Sequence, residues 1–192
     1  MIDKIIFYDA DFLICFLLIG EVSILKKAFN EIIVPKPVYD ELTFRTTPKI
    51  IKETMQDLKV EGFVKVPEID PHSKERTPYL SIQRGNWHKD FKRLGKGESA
   101  ALAFAIVNEG VIASNNFVDI KYYVDKYELP LLTTSYFLAL AVDEEIIDYD
   151  KACDLYDRMI EEDREMPCSS FDEYFNSLYE KDTEDFGYRL LE

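Results

Sequence analysis

The sequence predicts an α/β protein in which a small parallel sheet is covered by helices on both faces. Short apolar runs alternate along the chain with helix-like segments, and such alternation is typical of parallel sheets. The runs KIIFY, EIIV and VIAS are apolar on consecutive residues rather than on every second one, as buried parallel strands are. Ligands of such folds lie outside the carboxyl ends of the strands.

The first half of the chain is predicted to hold three strands. The predicted elements are, in order, strand 4–8, helices 12–18 and 22–29, strand 31–34, a helix that starts at Pro37, helix 50–58 and strand 62–66. Proline is tolerated in the first turn of a helix, which places Pro37 at a helix start. Residues 67–95 are predicted to be irregular because Pro71, Pro78 and Gly85 interrupt them.

The second half has a stronger pattern. GESAALAFAIVNEG is an alanine-rich helix that ends at Gly110. The remaining predicted elements are strand 111–114, helix 116–127, strand 129–134, helix 135–142, helix 149–162 and a last helix after the linker MPCSS. We therefore expect one α/β domain over residues 1–148, with an insertion at about 45–95, and an acidic helical extension over residues 149–192.

The charge of the chain is strongly negative and unevenly distributed. The net charge is −14, and residues 151–192 contribute −8 of it, with 13 acids and 5 bases. Nucleic-acid phosphates are repelled by such a surface. Residues 74–96 are the exception, with 7 bases and 2 acids. The candidate RNA contacts in this stretch are Arg84, Lys89, Lys92, Arg93 and Lys96.

The cysteine pattern and the N-terminal sequence indicate the cellular compartment of the protein. Cys15, Cys153 and Cys168 are odd in number and form no CxxC pair, which disfavours a disulfide framework or a structural zinc site. The apolar N-terminal run is interrupted by Asp9 and Asp11, so it matches neither a signal peptide nor a membrane span. We expect a soluble cytoplasmic protein that does not associate with membranes.

Four acids are predicted to meet at one edge of the sheet. Asp9 follows the first strand, and Asp119 lies about one helical turn after Ser114, where another strand ends. Glu41 and Glu98 lie on helices that can lean over the same edge. Clustered carboxylates repel one another unless a cation joins them, and Mg²⁺ and Mn²⁺ prefer oxygen ligands. Such ions activate water and stabilise in-line attack on a phosphodiester.

Four short motifs, FYDADFL, VYDEL, GKGESAALAFA and SNNFVDI, occur in this order along the chain. Together they resemble the PIN-domain family of ribonucleases. FYDADFL is similar to the hhhDxN opening of that family, VYDEL to its acid before leucine, GKGESAALAFA to its acid-xx-Ala helix start, and SNNFVDI to the TxNxxDF stretch of the toxin members. The motifs occur in family order over about residues 5–146. Asp11 stands where the family more often has Asn, Glu98 where it has Asp, and Asn116 where many branches have Asp.

The resemblance implies a PIN-like three-layer α/β/α fold and metal-dependent cleavage of RNA. By position, it implies that Asp9, Glu41, Glu98 and Asp119 are the catalytic acids. It implies that Asp9, Glu98, Asp119 and the auxiliary Asp11 bind Mg²⁺ or Mn²⁺, and that Asn116 and Ser114 orient an acid or the phosphate. For a toxin–antitoxin member it further implies a cognate antitoxin, or another protein partner, and homodimerisation.

Two other functions remain open at the sequence level. A PIN-like fold with too few ligands would act as a binding module without activity, and Asn116 and the negative charge favour it. A haloacid-dehalogenase-like phosphatase would use the DxD of FYDADFL, with Asp9 as nucleophile and Asp11 as acid-base. That reading requires an acidic pair after a late strand, which the sequence lacks. Asp9 and Asn116 also suit helix N-caps, and Glu98 suits a helix N-terminus.

Overall fold

A computed structural model describes residues 4–85 and 93–187 of the chain. In this part of the chain five parallel strands form one sheet, in the order β3-β2-β1-β4-β5. The strands are β1 (Ile6–Tyr8), β2 (Ile32–Ile33), β3 (Val64–Lys65), β4 (Val111–Ala113) and β5 (Leu131–Leu132). The predicted parallel α/β fold is confirmed.

Helices connect the strands and continue beyond the sheet. Within the described ranges they are α1 (Ala10–Leu18), α2 (Val22–Ala28), α3 (Lys36–Leu42), α4 (Lys49–Val60), α5 (Arg76–Arg84), α6 (Lys96–Asn108), α7 (Phe117–Tyr127), α8 (Thr134–Asp143), α9 (Tyr149–Glu161), α10 (Phe171–Ser177), α11 (Tyr179–Asp182) and a π-helical turn (Thr183–Gly187).

The sheet has a hydrophobic core on each face. Successive strand residues point to opposite faces, so Ile6 and Tyr8 enter one core while Phe7 enters the other. The first core holds apolar residues of α1 to α4 and α8 to α10, and the second holds those of α5, α6 and α7. This arrangement makes three layers, with β1, β4 and β5 fully buried between the helices.

The two central strands lead into helices on opposite faces. The chain leaves β1 for the first core through α1, and it leaves β4 for the second core through α7. At such a topological switch point the loops diverge and open a crevice at the carboxyl end of the sheet. The fold therefore places the residues that follow Tyr8 and Ala113 on either side of one crevice.

The prediction that residues 67–95 are wholly irregular is wrong for α5. Pro78 lies in the first turn of this helix, where a missing backbone N–H costs no hydrogen bond. Ile82 is buried against the second core, and Gly85 ends the helix with a φ of 64°. The helix is stabilised by tertiary burial, which a breaker-based interpretation of the sequence overlooks.

The C-terminal helices share the first core. Ala152, Leu155, Tyr156 and Met159 of α9 are buried there, as is Phe171 of α10. The division of the chain at residue 148 stays a prediction. No helix in residues 4–85 and 93–187 combines the length and the apolar character that crossing a bilayer requires.

Gly110 allows β4 to approach β1 closely. Helix α6 ends at Asn108, before the predicted end at Gly110, because Glu109 takes the left-handed conformation with a φ of 51°. A Cβ atom on Gly110 would lie 2.6 Å from the carbonyl oxygen of Ile5 and 2.8 Å from Cε2 of Phe7. The absence of a side chain at this position therefore sets the contact between the central strands.

We expect Gly110→Ala to lower the free energy of unfolding by about 1–3 kcal/mol, the usual cost of overpacking. Thermal denaturation measures the loss. The control is Glu109→Gly, which should keep or raise the melting temperature, since glycine favours the left-handed conformation. An unchanged melting temperature for Gly110→Ala would contradict the close approach.

Candidate active site

Asp9 lies at the carboxyl end of β1 and is 4% exposed. Its backbone N–H donates to the carbonyl of Ala113 at 2.9 Å, which extends the pairing of β1 with β4. Its Oδ1 accepts from the N–H of Ala10 at 2.7 Å, so Asp9 is also the N-cap of α1. The hydroxyl of Ser114 lies 3.2 Å from Oδ2. The cap fixes the carboxylate in the crevice, and the structural and functional interpretations of Asp9 are compatible.

Asp11 faces the loop that follows β4. Its Oδ1 accepts from the N–H of Phe12 at 2.7 Å, and its Oδ2 accepts from the N–H of Asn115 at 3.1 Å. The hydroxyl of Ser114 is also 3.4 Å from Oδ1. The hydroxyl of Ser114 thus lies between the carboxylates of Asp9 and Asp11, and its predicted orienting role stays a prediction.

Asn116 joins two acids from different helices. Its Nδ2 donates to Oε1 of Glu98 at 2.6 Å and to Oδ2 of Asp119 at 3.0 Å. Asn116 occupies the N-cap position of α7, but its side chain makes no capping bond. Because an amide nitrogen carries two protons, both are used to hold Glu98 and Asp119 together. The orienting role of Asn116 stays a prediction, and this bridge is the contact through which it would act.

Glu98 has a local role and a place in the cluster at the same time. Its Oε2 accepts from the N–H of Gly95 at 3.1 Å, which is the glutamate half of a capping box at the start of α6. Its Oε1 accepts from Asn116. One carboxylate therefore closes the N-terminus of α6 and reaches the loop after β4.

Glu41 reaches the crevice from α3 across Gly97. A Cβ atom on Gly97 would lie 3.0 Å from Oε2 of Glu41 and 3.7 Å from Oδ1 of Asp9. The two oxygens are therefore no further apart than the sum of these distances. Gly97 is the residue that leaves room for both carboxylates, and Glu41 and Asp9 lie on the same side of the molecule.

The acids perturb one another electrostatically. Burial is the main cause that raises the pKa of Asp9 well above its usual value, and the charges of Asp11 and Glu98 raise it further. The pKa values of Asp11 and Glu41 are also raised, first by burial and then by neighbouring acids that include Glu98. The ionised cluster is thus unfavourable without a counter-charge.

Three residues beside the acids were not predicted from the sequence as site residues. The side chain of Asn115 donates to Oγ1 of Thr134 at 2.9 Å and to Sγ of Cys15 at 3.3 Å, and its Oδ1 accepts from the N–H of Thr134 at 2.8 Å. These bonds join the loop after β4 to α8 and α1. The sequence feature that could have identified Asn115 as a site residue is the pair Asn115-Asn116 directly after the predicted strand 111–114.

The predicted basic contacts are placed only in part. Lys96 is the first residue of α6, two residues before Glu98, and is exposed. Arg84 ends α5, and Arg93 lies next to Gly85. Lys89 and Lys92 lie outside the described residues. A role for these bases in RNA binding stays a prediction.

The acids of the crevice do not form a complete metal-binding site in the described part of the chain. In residues 4–85 and 93–187, no three acidic, histidine or cysteine side chains stand close enough to hold a metal ion as they lie. The donors are nevertheless oxygen atoms, the type that Mg²⁺ and Mn²⁺ prefer. Because the side chains of Asp9, Asp11, Glu41 and Glu98 at this crevice are all carboxylates, the chemistry of the donor set fits such an ion.

The fold and site define an α/β protein with an acidic crevice at the switch point of a parallel sheet. The model of a protein family described as PIN domain matches residues 5–177, so the chain belongs to the PIN-domain family. PIN domains are in general nucleases and use divalent metal ions. No curated protein matches the chain at a significant level. The phosphatase alternative finds no support, since Thr133 and Thr134 follow β5 instead of an acidic pair.

We expect Asp9→Asn to stabilise the metal-free protein at neutral pH. Asparagine keeps the N-cap acceptor and removes a carboxylate whose pKa is raised in the folded chain. A raised pKa means that protonation favours folding, so the wild type loses stability as the pH rises through that value. The gain in melting temperature should therefore be larger at pH 8 than at pH 5, measured with a chelator. A variant that is less stable at both pH values would contradict the repulsion.

The bridge made by Asn116 gives a second test. Asn116→Asp replaces two donors with an acceptor that faces Glu98 and Asp119. We expect a lower melting temperature in chelator and a larger rise on addition of Mn²⁺ than in wild type, because a cation relieves the added repulsion. The matched control is Asn30→Asp at an exposed position. Equal behaviour of the two variants would show that Asn116 does not hold the acids together.

Proposed function

We propose that this PIN-domain protein is a metal-dependent endoribonuclease. The observation that carries the proposal is the convergence of Asp9, Asp11, Glu41 and Glu98 on a crevice at the carboxyl end of β1 and β4, where burial and then neighbouring acids raise the pKa values of Asp9, Asp11 and Glu41. Acids whose pKa values are raised by burial and by charged neighbours in a crevice are candidates for a functional site. Asp119 joins the cluster through Asn116.

Asp9, Asp11, Glu98 and Asp119 are the residues that would hold Mg²⁺ or Mn²⁺. Such an ion supplies a Lewis acid and an activated water for attack on a phosphodiester. The chain itself contributes orientation: Ser114 restrains Asp9 and Asp11, and Asn116 restrains Glu98 and Asp119. Glu41, opposite Asp9 across Gly97, is the acid that would accept a proton from the attacking water.

Finer assignments are part of the same proposal. RNA as substrate follows from the family, and Arg84, Lys89, Lys92, Arg93 and Lys96 are the proposed contacts from the basic stretch. A toxin–antitoxin role in the cytoplasm, with a cognate antitoxin and a homodimer, is supported by the likeness of SNNFVDI to the toxin members. The two-part organisation, with a nuclease domain over residues 1–148 and an acidic extension, is proposed likewise.

A binding module without activity is the second candidate. It is favoured by Asn116, which stands where many PIN branches carry an acid, and by the spread of the acids in the described part of the chain. The two candidates differ in their response to metal. A nuclease should gain thermal stability from millimolar Mn²⁺, whereas a module that has lost its site should not.

Cleavage of single-stranded RNA tests the proposal directly. We expect wild type to cut RNA internally with Mg²⁺ or Mn²⁺ and not with a chelator. Asp9→Asn should lose at least about a hundredfold in rate, since a bound ion contributes several kcal/mol of transition-state stabilisation. Asp57→Asn, at an exposed acid of α4, is the matched control and should retain full activity. Metal-dependent cleavage that survives in folded Asp9→Asn would refute the role of Asp9.

A further inference from the structure

A half-buried arginine from the C-terminal extension faces the acidic crevice. A cavity of about 380 Å³ is lined on one side by Asp11, Cys15, Asn115 and Asn116, and on the other by residues 163–165. Arg164 is the cation in this wall. The adjacent Asp163 and Glu165 are exposed to solvent, where their charges are screened more strongly than that of a half-buried group.

The backbone turn that follows α9 fixes the position of Arg164. Asp163 takes the left-handed conformation with a φ of 56° and donates from its N–H to the carbonyl of Ile160 at 3.0 Å. The N–H of Arg164 donates to the carbonyl of Met159, also at 3.0 Å. This pair of bonds is a Schellman motif. Because Met159 is fully buried in the first core, the turn is anchored to the body of the protein.

The guanidinium of Arg164 makes few polar contacts within the described part of the protein. It donates one long hydrogen bond, from Nε to the carbonyl of Glu162 at 3.4 Å. No acid in residues 4–85 and 93–187 lies within ion-pair distance of it. By contrast, Lys151 and Arg158 of α9 both bind Glu21, at 2.8 and 2.7 Å. An unpaired, half-buried arginine is unusual in a chain with a net charge of −14.

The cavity continues away from the acids. A second cavity of about 560 Å³ shares Asn115 and Glu165 with the first. Its wall has apolar surface at Phe117, Met166 and Leu178 and carries Lys121 and Lys181 as well as Asp182 and Asp185. The two cavities together form a groove with a cation beside the acids and apolar surface beyond. Such surfaces suit a phosphate and the base that follows it.

We propose that Arg164 binds a backbone phosphate of the RNA strand next to the one held at the acidic cluster, so that the C-terminal extension forms part of the substrate groove. This inference rests on the proposed ribonuclease function. Arginine donates two parallel hydrogen bonds to a phosphate, and its planar group suits this contact better than a lysine ammonium does. The extension, acidic as a whole, thus supplies the cation that the site needs.

The test compares Arg164→Ala, Arg164→Gln and Arg164→Lys with Lys65→Ala. Lys65 is exposed in β3 at the far edge of the sheet, so its removal changes the net charge equally without touching the groove. Binding of a short labelled single-stranded RNA is measured in the Asp9→Asn background without metal, and KM and kcat are measured with Mn²⁺ in the Asp9 parent. Melting temperatures verify folding, and Arg164→Gln keeps the test valid if the alanine variant unfolds.

We expect Arg164→Ala and Arg164→Gln to weaken RNA binding about tenfold, as the loss of a charge-assisted hydrogen bond does. KM should rise by a similar factor with a smaller change in kcat, and Arg164→Lys should recover part of the loss. The slope of log affinity against log salt should fall by about 0.7, the value for one phosphate on a single strand. Lys65→Ala should change neither the affinity for RNA nor the slope of its salt dependence.

Two results would overturn this inference. One is unchanged binding and salt dependence in folded Arg164 variants, and the other is an equal loss in Lys65→Ala, which would indicate an effect of net charge alone. Failure of the proposed function is distinguishable, because wild type would then not cleave RNA. The binding comparison uses the Asp9→Asn background and does not depend on cleavage.

Discussion

The repulsion among carboxylates gathered at the junction of β1 and β4 is the constraint on which the site depends. Burial in the crevice raises the pKa of Asp9, and neighbouring acids raise it further. The protein opposes this cost with short neutral donors: the hydroxyl of Ser114, the backbone N–H of Asn115 and the amide of Asn116. Each donor comes from the loop after β4, so this loop determines where Asp9, Asp11 and Glu98 are held.

Much of the fold could be predicted because the strands are short, apolar and separated by helices of clear periodicity. The exception, α5, has Pro78 and Gly85 at its two ends, where these residues are compatible with a helix. Local breakers do not reveal whether a segment gains a buried face such as Ile82. The extension poses the same problem, since its acidic composition conceals the residues of α9 that enter the first core.

The strand-end acids could be predicted, but their partners could not. Asp9 follows a recognisable strand, and parallel strands end at a common edge. The bonds of Asn115 to Thr134 and Cys15, by contrast, join residues far apart in the sequence. Arg164 is another such case: a single base among many acids has no pattern, and its position depends on the turn after α9. Long-range side-chain pairing is specified by packing, which one sequence does not display.

The burial of α9 and α10 has a consequence for how this protein can be shortened. Leu155, Tyr156, Met159, Phe171 and Tyr174 are at most 1% exposed. Cleavage of the chain after α8 would remove these side chains. The apolar residues of the first core that they cover would then be exposed to solvent as a hydrophobic patch. A shortened protein that lacks α9 and α10 would therefore tend to aggregate. Only proteolytic cleavage on the C-terminal side of α10 would leave the first core covered and avoid this aggregation.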